Sequence, residues 1–204
     1  MRKILAGVLA IALGLSVIGV SQQEIESGTF FFQLDEDAGV EGFTFEELED
    51  GNFRLTSEFE ALSEQLIFDF GTDRLFDQEM VLTPNLQLVS LEFNSETDRG
   101  TFNVTVEVEG GIASIHTISQ EPEETPEEQQ RDVILTDEFV TTGLAASQFF
   151  LMQRYINENL NLDVGESQFI TAFDPTDVDE PFVELTFERL PNVIVEDVNS
   201  REQF

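Results

Sequence analysis

The sequence predicts an α+β fold that is mainly β, with an antiparallel meander of about eight strands that curls into an open barrel or half-barrel. One main helix and about three closing strands are expected to follow the meander. Two patterns predict this fold. Short segments in which apolar and polar residues alternate follow one another along residues 24–118, and a single later segment, Asp137–Leu162, carries apolar residues at helical spacing.

The amino terminus has the pattern of an export signal. Arg2 and Lys3 precede an apolar run from Ile4 to Val20, and small residues stand before a possible cleavage point after Ser21. The run is shorter than the ~20 residues that a membrane-spanning helix usually needs, so a cleaved signal peptide over residues 1–21 is favoured over an uncleaved anchor. Residues 22–204 are then expected to form a single β-rich domain. The chain contains no cysteine, and we expect it to be exported to the periplasm or the exterior of a prokaryotic cell.

The strands of the meander are predicted from period-two alternation and from the turn residues between them. The cleanest alternation runs from Phe102 to Val108. The best hairpin signal is Asp50-Gly51, because glycine readily takes the positive φ angle of a tight turn. Residues 120–131 contain prolines and glutamates but no apolar residue, and they are predicted to be an acidic mobile loop. The predicted strands cover residues 24–34, 43–48, 53–61, 66–70, 76–82, 86–93, 102–108 and 112–118.

The helix is predicted from apolar residues that recur every three or four positions. Around Phe149–Met152 the apolar residues surround the helix axis, so this turn must be covered on several sides. After the helix, residues 168–173, 181–187 and 193–195 are predicted to be the closing strands. The apolar face consists of Ala145, Phe149, Met152, Ile156 and Leu160, widened by Leu144, Leu151 and Tyr155.

The composition excludes several classes of partner. The formal net charge is −33, from 42 acidic and 9 basic residues, and it repels nucleic-acid backbones and anionic membrane surfaces. The carboxylates are spread along the chain, as in proteins from salt-loving organisms, in which concentrated salt screens the self-repulsion. The 20 phenylalanines and a hydrophobic content of 41% predict a folded rather than a disordered chain.

The residue types that carry most enzyme chemistry are scarce, so we expect no catalytic site, no cofactor and no metal site. His116 is the only histidine, and no Gly-x-Ser-x-Gly motif is present to expose a nucleophile. Zinc is disfavoured because the chain offers one imidazole and no sulfur ligand from cysteine. A calcium site at Asp174, Asp177 and Asp179 stays open, because calcium prefers oxygen ligands.

The phenylalanine-rich interior leaves two hypotheses for function. If the sheet is only partly filled, the chain is an exported non-enzymatic envelope protein that binds a hydrophobic ligand, such as a lipid, an acyl chain or a lipidated protein, and the helix acts as a lid. The ligand-binding side chains would then be Phe149, Phe150, Met152 and Tyr155. If the interior is filled, these residues are core, and the chain is a structural or protein-interaction module for another envelope protein.

The order of signal peptide, long antiparallel meander, helix and closing strands resembles bacterial periplasmic half-barrels, such as the lipoprotein-carrier proteins of the LolA/LolB type. The resemblance spans most of the chain after residue 21. It is one of architecture, with no shared sequence motif and with one clear helix here rather than several. The resemblance implies an acyl chain held in a cavity that aromatic and apolar side chains line.

Overall fold

The computed structural model describes residues 26–34, 37–136, 139–142, 145–160, 162–177 and 179–189. The predicted signal peptide and the predicted strand at residues 193–195 lie outside these ranges. Within them, the strands are β1 (Glu26–Leu34), β2 (Asp37–Glu47), β3 (Phe53–Ala61), β4 (Arg74–Leu82), β5 (Leu88–Thr97), β6 (Gly100–Glu109), β7 (Ile112–Gln120), β8 (Glu127–Ile134), β9 (Val140–Thr141), β10 (Ser167–Phe173) and β11 (Phe182–Glu188). The helices are α1 (Glu64–Phe70) and α2 (Ala146–Asn159).

Strands β1 to β8 form one antiparallel sheet whose order in space equals its order in the chain. The predicted mainly-β fold and its antiparallel meander are therefore confirmed, and the sheet is not closed into a barrel. The turn between β2 and β3 forms where Asp50-Gly51 predicts it: Gly51 has a φ angle of 85°, and the Leu48 N–H donates to the Asn52 carbonyl oxygen at 2.7 Å. Alternate side chains point to an inner, apolar face and an outer, polar face.

The fourth predicted strand forms the short helix α1 instead, which corrects that prediction. Ser63 caps the start of α1 by accepting a hydrogen bond from the Leu66 N–H at 3.1 Å, and Gly71 ends it with a φ angle of 70°. Leu66 and Phe70 fit either structure, because residues four apart share one side of a helix and one face of a strand. Phe68, between them, is 83% exposed. The caps at Ser63 and Gly71 stabilise the helical conformation over an extended strand.

Residues 127–131, which the polar composition predicts to be loop, instead form the first part of β8. This strand pairs with β7 from Ile112 opposite Ile134 to Ser119 opposite Glu127. Only Val133 is buried along β8. The apolar residues at 133–135 indicate a short strand at its end. Residues 127–131 are exposed on both faces and need no apolar alternation to keep the backbone ladder, so the sequence pattern gives no sign of this first part.

Helix α2 lies between the large sheet and a small sheet of strand order β11-β10-β9. It is shorter than the predicted helix Asp137–Leu162. On one side Phe150 packs against the core of the large sheet, and on the other side Met152 packs with Val140 and Ile170 of the small sheet. These two contacts explain why apolar residues surround the middle of the helix. Neither described helix is long and apolar enough to cross a membrane.

Candidate functional site

Stacked phenylalanine rings fill the inner face of the large sheet. Phe59 and Phe76 on neighbouring strands stack with their ring centroids 5.4 Å apart. Near β1, two glycines leave room for rings: a Cβ at Gly28 would lie 2.5 Å from the ring of Phe43, and a Cβ at Gly39 would lie 2.3 Å from the ring of Phe59. Aromatic side chains thus occupy the space that the glycines leave open.

The predicted ligand-binding residues belong to the packed interior where their side chains are described. The ring of Phe150 contacts that of Phe43, with centroids 4.9 Å apart. Met152 is buried, and Tyr155 packs against the apolar clusters of both sheets. The side chain of Phe149 lies outside the described part of the chain. None of the three described side chains lines the open cavity on the outer face of strands β1 to β5 or either of two further surface cavities, one around residues 72–77 and 94–103 and one around residues 95–102 and 119–127.

A buried carboxylate from the large sheet caps the start of α2. Ala145, the residue before the helix, forms no side-chain cap. Glu41 of β2 takes this role: its Oε1 accepts a hydrogen bond from the Ser147 N–H at 3.1 Å, and the residue is fully buried. A carboxylate is favoured there because it meets both the free N–H groups and the positive end of the helix dipole. The contact joins residues 106 positions apart in the chain.

Uncharged polar side chains extend this contact into a buried cluster. Gln78 Nε2 donates to Ser147 Oγ at 2.8 Å, Ser147 Oγ donates to Ser57 Oγ at 3.2 Å, and Gln148 Nε2 donates to Gln78 Oε1 at 3.0 Å. All four residues are buried. Since a buried polar group without a partner costs about 1–3 kcal/mol, the cluster fixes where α2 begins on the sheet. The Ser147 hydroxyl donates to another hydroxyl rather than to a base, so it is not arranged as an activated nucleophile. These four residues and Glu41 form a clamp that holds the start of α2 on the sheet.

The sequence carries a sign of this cluster that a search for apolar residues misses. Glu41, Ser57 and Gln78 stand in the inward-facing phase of β2, β3 and β4, where positions two residues away, such as Phe43, are buried and apolar. A polar residue in that phase must find its partners inside the protein. A second feature is visible only once the structure places the helix start at Ala146: Ala145 has no side-chain acceptor for the first N–H groups of the helix, so an acceptor must come from another element.

A second attachment holds the later half of α2. Arg154 Nη1 lies 3.3 Å from Glu26 Oε2 at the start of β1. Its guanidinium also lies over the rings of Phe45 and Phe53, at 5.0 and 5.7 Å from their centroids. Helix α2 is thus attached to the large sheet at two places, and it covers the inner face beside β1.

The single histidine lies on the outer face, away from the buried cluster. His116 Nε2 is 4.0 Å from Glu128 Oε2. The nearby Ser114 hydroxyl donates to Asp132 Oδ1 at 2.8 Å. The serine therefore meets a carboxylate directly, whereas a catalytic triad places the imidazole between serine and carboxylate.

The carboxylates of the possible calcium loop serve as turn acceptors. Asp174 Oδ1 accepts a hydrogen bond from the Thr176 N–H at 2.9 Å. Asp177 Oδ1 accepts from the N–H groups of Asp179 and Glu180, at 3.1 and 2.9 Å. In the part of the chain that the structure describes, no three acidic or histidine side chains are grouped so that they could hold a metal ion.

The outer face of the large sheet forms an open, polar trough of about 1020 Å³ over β1 to β5. Arg74 on its wall pairs with Glu58 at 2.9 Å and with Asp77 at 3.4 Å. Gly42 lies in the floor, where a Cβ would meet nothing within 4 Å. A lining of this kind suits solvent rather than an acyl chain. The carboxylates that line the trough belong to Glu58, Glu60, Asp77, Glu79 and Glu92.

The two edges of the large sheet differ in charge. Strand β8 carries Glu127, Glu128, Arg131 and Asp132, and charges of this kind blunt pairing between sheet edges. Strand β1 has no charged residue after Glu26. In the described residues β1 pairs with β2 alone. Alternate backbone N–H and C=O groups on its other side therefore point away from the sheet.

Comparisons of the chain with models of protein families, with curated proteins and with solved structures find no match. The features that bear on function are those of the chain itself: a covered inner face, an acidic outer face and one uncharged edge.

Proposed function

We propose that the protein is an exported, non-enzymatic interaction module that binds an extended segment of a partner by adding it as a strand to the β1 edge. The observation that carries the proposal is a long, uncharged edge strand on a sheet whose inner face is already covered. The free backbone groups of such an edge pair readily with a strand from another chain.

Strand β1 is held firmly enough to act as a template. All nine of its residues pair with β2. From the inner side, Phe30 stacks on Phe43 with ring centroids 5.2 Å apart, and Glu26 pairs with Arg154 of α2. An edge that is ordered before binding lowers the entropy cost of recruiting a partner strand.

The packing of the interior favours this function over the binding of a hydrophobic ligand. A lid over an acyl chain needs side chains that face a cavity of about 300 Å³ or more. Phe150 and Met152 contact core residues on both sides of α2 instead. A half-barrel that encloses a ligand would also need open space between α2 and the sheet, where the clamp around Gln78 and Ser147 lies.

Selection of displayed random peptides tests the proposed use of β1. The protein is immobilised at low density, so that two copies cannot pair. The selection is carried out in molar salt, which screens the unspecific attraction of basic peptides to the acidic chain. Binders are then compared on two variants: Phe31→Lys places a lysine on the β1 edge, and Gln130→Lys makes a matched change at an exposed position of β8. We expect peptides with alternating apolar and polar residues whose affinity falls by about tenfold or more on Phe31→Lys alone. Binders that treat both variants alike, or the absence of binders, would refute the use of β1.

Export is tested separately by the mass of the protein recovered from an envelope or medium fraction. We expect a chain that starts at Gln22, because the predicted cleavage point follows Ser21. Recovery of a chain that keeps residues 1–21 would refute cleavage, and recovery from the cytoplasm would refute export.

A further inference from the structure

We infer that the strand recruited by β1 is the β1 strand of a second copy, paired antiparallel across a two-fold axis with Gly28 of one copy opposite Phe32 of the other. The inference rests on the proposed use of the β1 edge and names its occupant. It follows from the residues along that edge, the charge of the chain and the contrast between the two edges.

The register is set by how the side chains fit. With Phe30 facing Phe30 of the second copy, Gly28 faces Phe32 on the inner side of the joined sheet, and Thr29 faces Phe31 on the outer side. Within its own copy the Phe32 ring packs against Phe59, with centroids 5.3 Å apart, and the Phe43 ring covers Gly28. A glycine opposite Phe32 therefore adds no side chain that would crowd these rings. On the outer side, the aromatic ring of Phe31 beside the β-branched Thr29 is a favourable cross-strand pair.

The outer face of β1 shows where the second copy would bury apolar surface. Phe31 is 45% exposed, although β1 is a paired strand of the large sheet. Val40 lies opposite it on β2, and the other side of its ring is open to a neighbouring strand. In the proposed register, Thr29 of the second copy takes this place and covers the ring from the edge.

The charge of the chain determines when the pair forms. Each copy carries a formal net charge of −33, so two copies repel each other in dilute buffer. The range of this repulsion falls from ~10 Å at 0.1 M salt to ~3 Å at 1 M. Between its ends the contact is uncharged, whereas at each end Glu26 faces Leu34, whose partner on β2 is the acidic Asp37. Glu26 is paired with Arg154 of its own copy, and salt must screen the rest of the repulsion at these ends. The pair should therefore form in molar salt and dissociate on dilution of the salt.

The proposed pairing limits association to two copies. Pairing across a two-fold axis uses the β1 edge of both chains, so no uncharged edge of the large sheet is left. The edges of the large sheet that remain are the two β8 strands, whose charges oppose further addition. In the small sheet, the edge strand β11 carries Glu184 and Glu188, and the edge strand β9 has only two residues. A finite dimer is expected rather than a fibre.

Sedimentation velocity of the purified protein between about 0.1 M and about 2 M NaCl tests the inference. We expect the mass to double at high salt. Phe31→Glu should remain a monomer at both salt concentrations, whereas Ile134→Glu, the matched change of an exposed apolar residue on β8, should dimerise like the unchanged protein. Because the Phe31 and Ile134 side chains are both exposed, neither variant should unfold the protein, and circular dichroism checks that both are folded. A monomer at every salt concentration, or equal effects of the two variants, overturns the inference.

A cross-link tests the contact directly. The chain has no cysteine, so Thr29→Cys gives a single thiol near the proposed axis, and Gln130→Cys gives a matched thiol on β8. A short bismaleimide should join two copies of the Thr29→Cys variant in molar salt and leave the Gln130→Cys variant unjoined. The reverse result overturns pairing through β1. If the protein stays monomeric while selected peptides bind β1, the second copy is refuted and the proposed function stands; if neither uses β1, both are refuted.

Discussion

Replacing Gln78 by leucine tests the buried clamp that positions α2. Gln78 donates to Ser147 at 2.8 Å and accepts from Gln148 at 3.0 Å, and it is 3% exposed. Leucine fills a similar volume but removes the acceptor of the Gln148 amide and one of the two partners of the Ser147 hydroxyl, which keeps its bond to Ser57. A buried polar group left without a partner costs about 1–3 kcal/mol, so we expect the free energy of unfolding to fall by about 1–3 kcal/mol.

Guanidinium unfolding followed by circular dichroism measures this loss as a lower midpoint at a similar slope. Gln130→Leu, at an exposed position of β8, is the control and should change the free energy of unfolding by less than about 0.5 kcal/mol. The double variant Gln78→Leu/Gln148→Leu should lose less than the sum of the single variants, because it also removes the amide left without an acceptor. A loss in Gln78→Leu as small as the control, or strict additivity, would refute the clamp.

Three further predictions concern the packing and the charge. Gly39→Ala should lower the free energy of unfolding by about 1–3 kcal/mol because its Cβ meets the ring of Phe59. Gly42→Ala in the same strand has open space and should leave the free energy of unfolding unchanged or raise it by up to ~1 kcal/mol. Equal effects of the two variants in thermal unfolding would contradict the placement of the Phe59 ring. Phe150→Ala should cost about 3 kcal/mol and Phe68→Ala, at an exposed ring, less than about 0.5; a reversed order in guanidinium unfolding would show that Phe150 is not core. The melting temperature should rise from dilute buffer to about 2 M NaCl because salt screens the self-repulsion of the acidic chain. A melting temperature that stays the same or falls would contradict this explanation.

The strands that sequence reveals are those whose two faces differ. Phe102 to Val108 alternate because one face of β6 is buried and the other meets solvent. The rule fails where that contrast is missing. Residues 127–131 of β8 are exposed on both faces. In α1, the spacing of Leu66 and Phe70 fits a strand as well as a helix, so that only the caps at Ser63 and Gly71 distinguish the two. The number of meander strands agrees with the prediction because the false strand at residues 66–70 offsets β8, most of which is predicted to be loop.

The candidate site was harder to predict because it depends on neighbours distant in the chain. The apolar face of α2 is visible in the sequence, but whether Phe150 faces a ligand or Phe43 depends on how the helix lies on the sheet. Glu41 meets Ser147 only after folding, although its place among inward-facing phenylalanines marks it as unusual. The edge position of β1 follows from strand order, which no local pattern encodes.

Organic extraction and mass spectrometry of the protein purified without detergent tests whether the interior is filled by the chain itself or holds a ligand. A chain whose interior is filled and whose contacts are made through β1 should release no acyl-chain compound in near-stoichiometric amount. One acyl-chain molecule per protein would contradict the filled interior and would return Phe150, Met152 and Tyr155 to the role of ligand-binding residues.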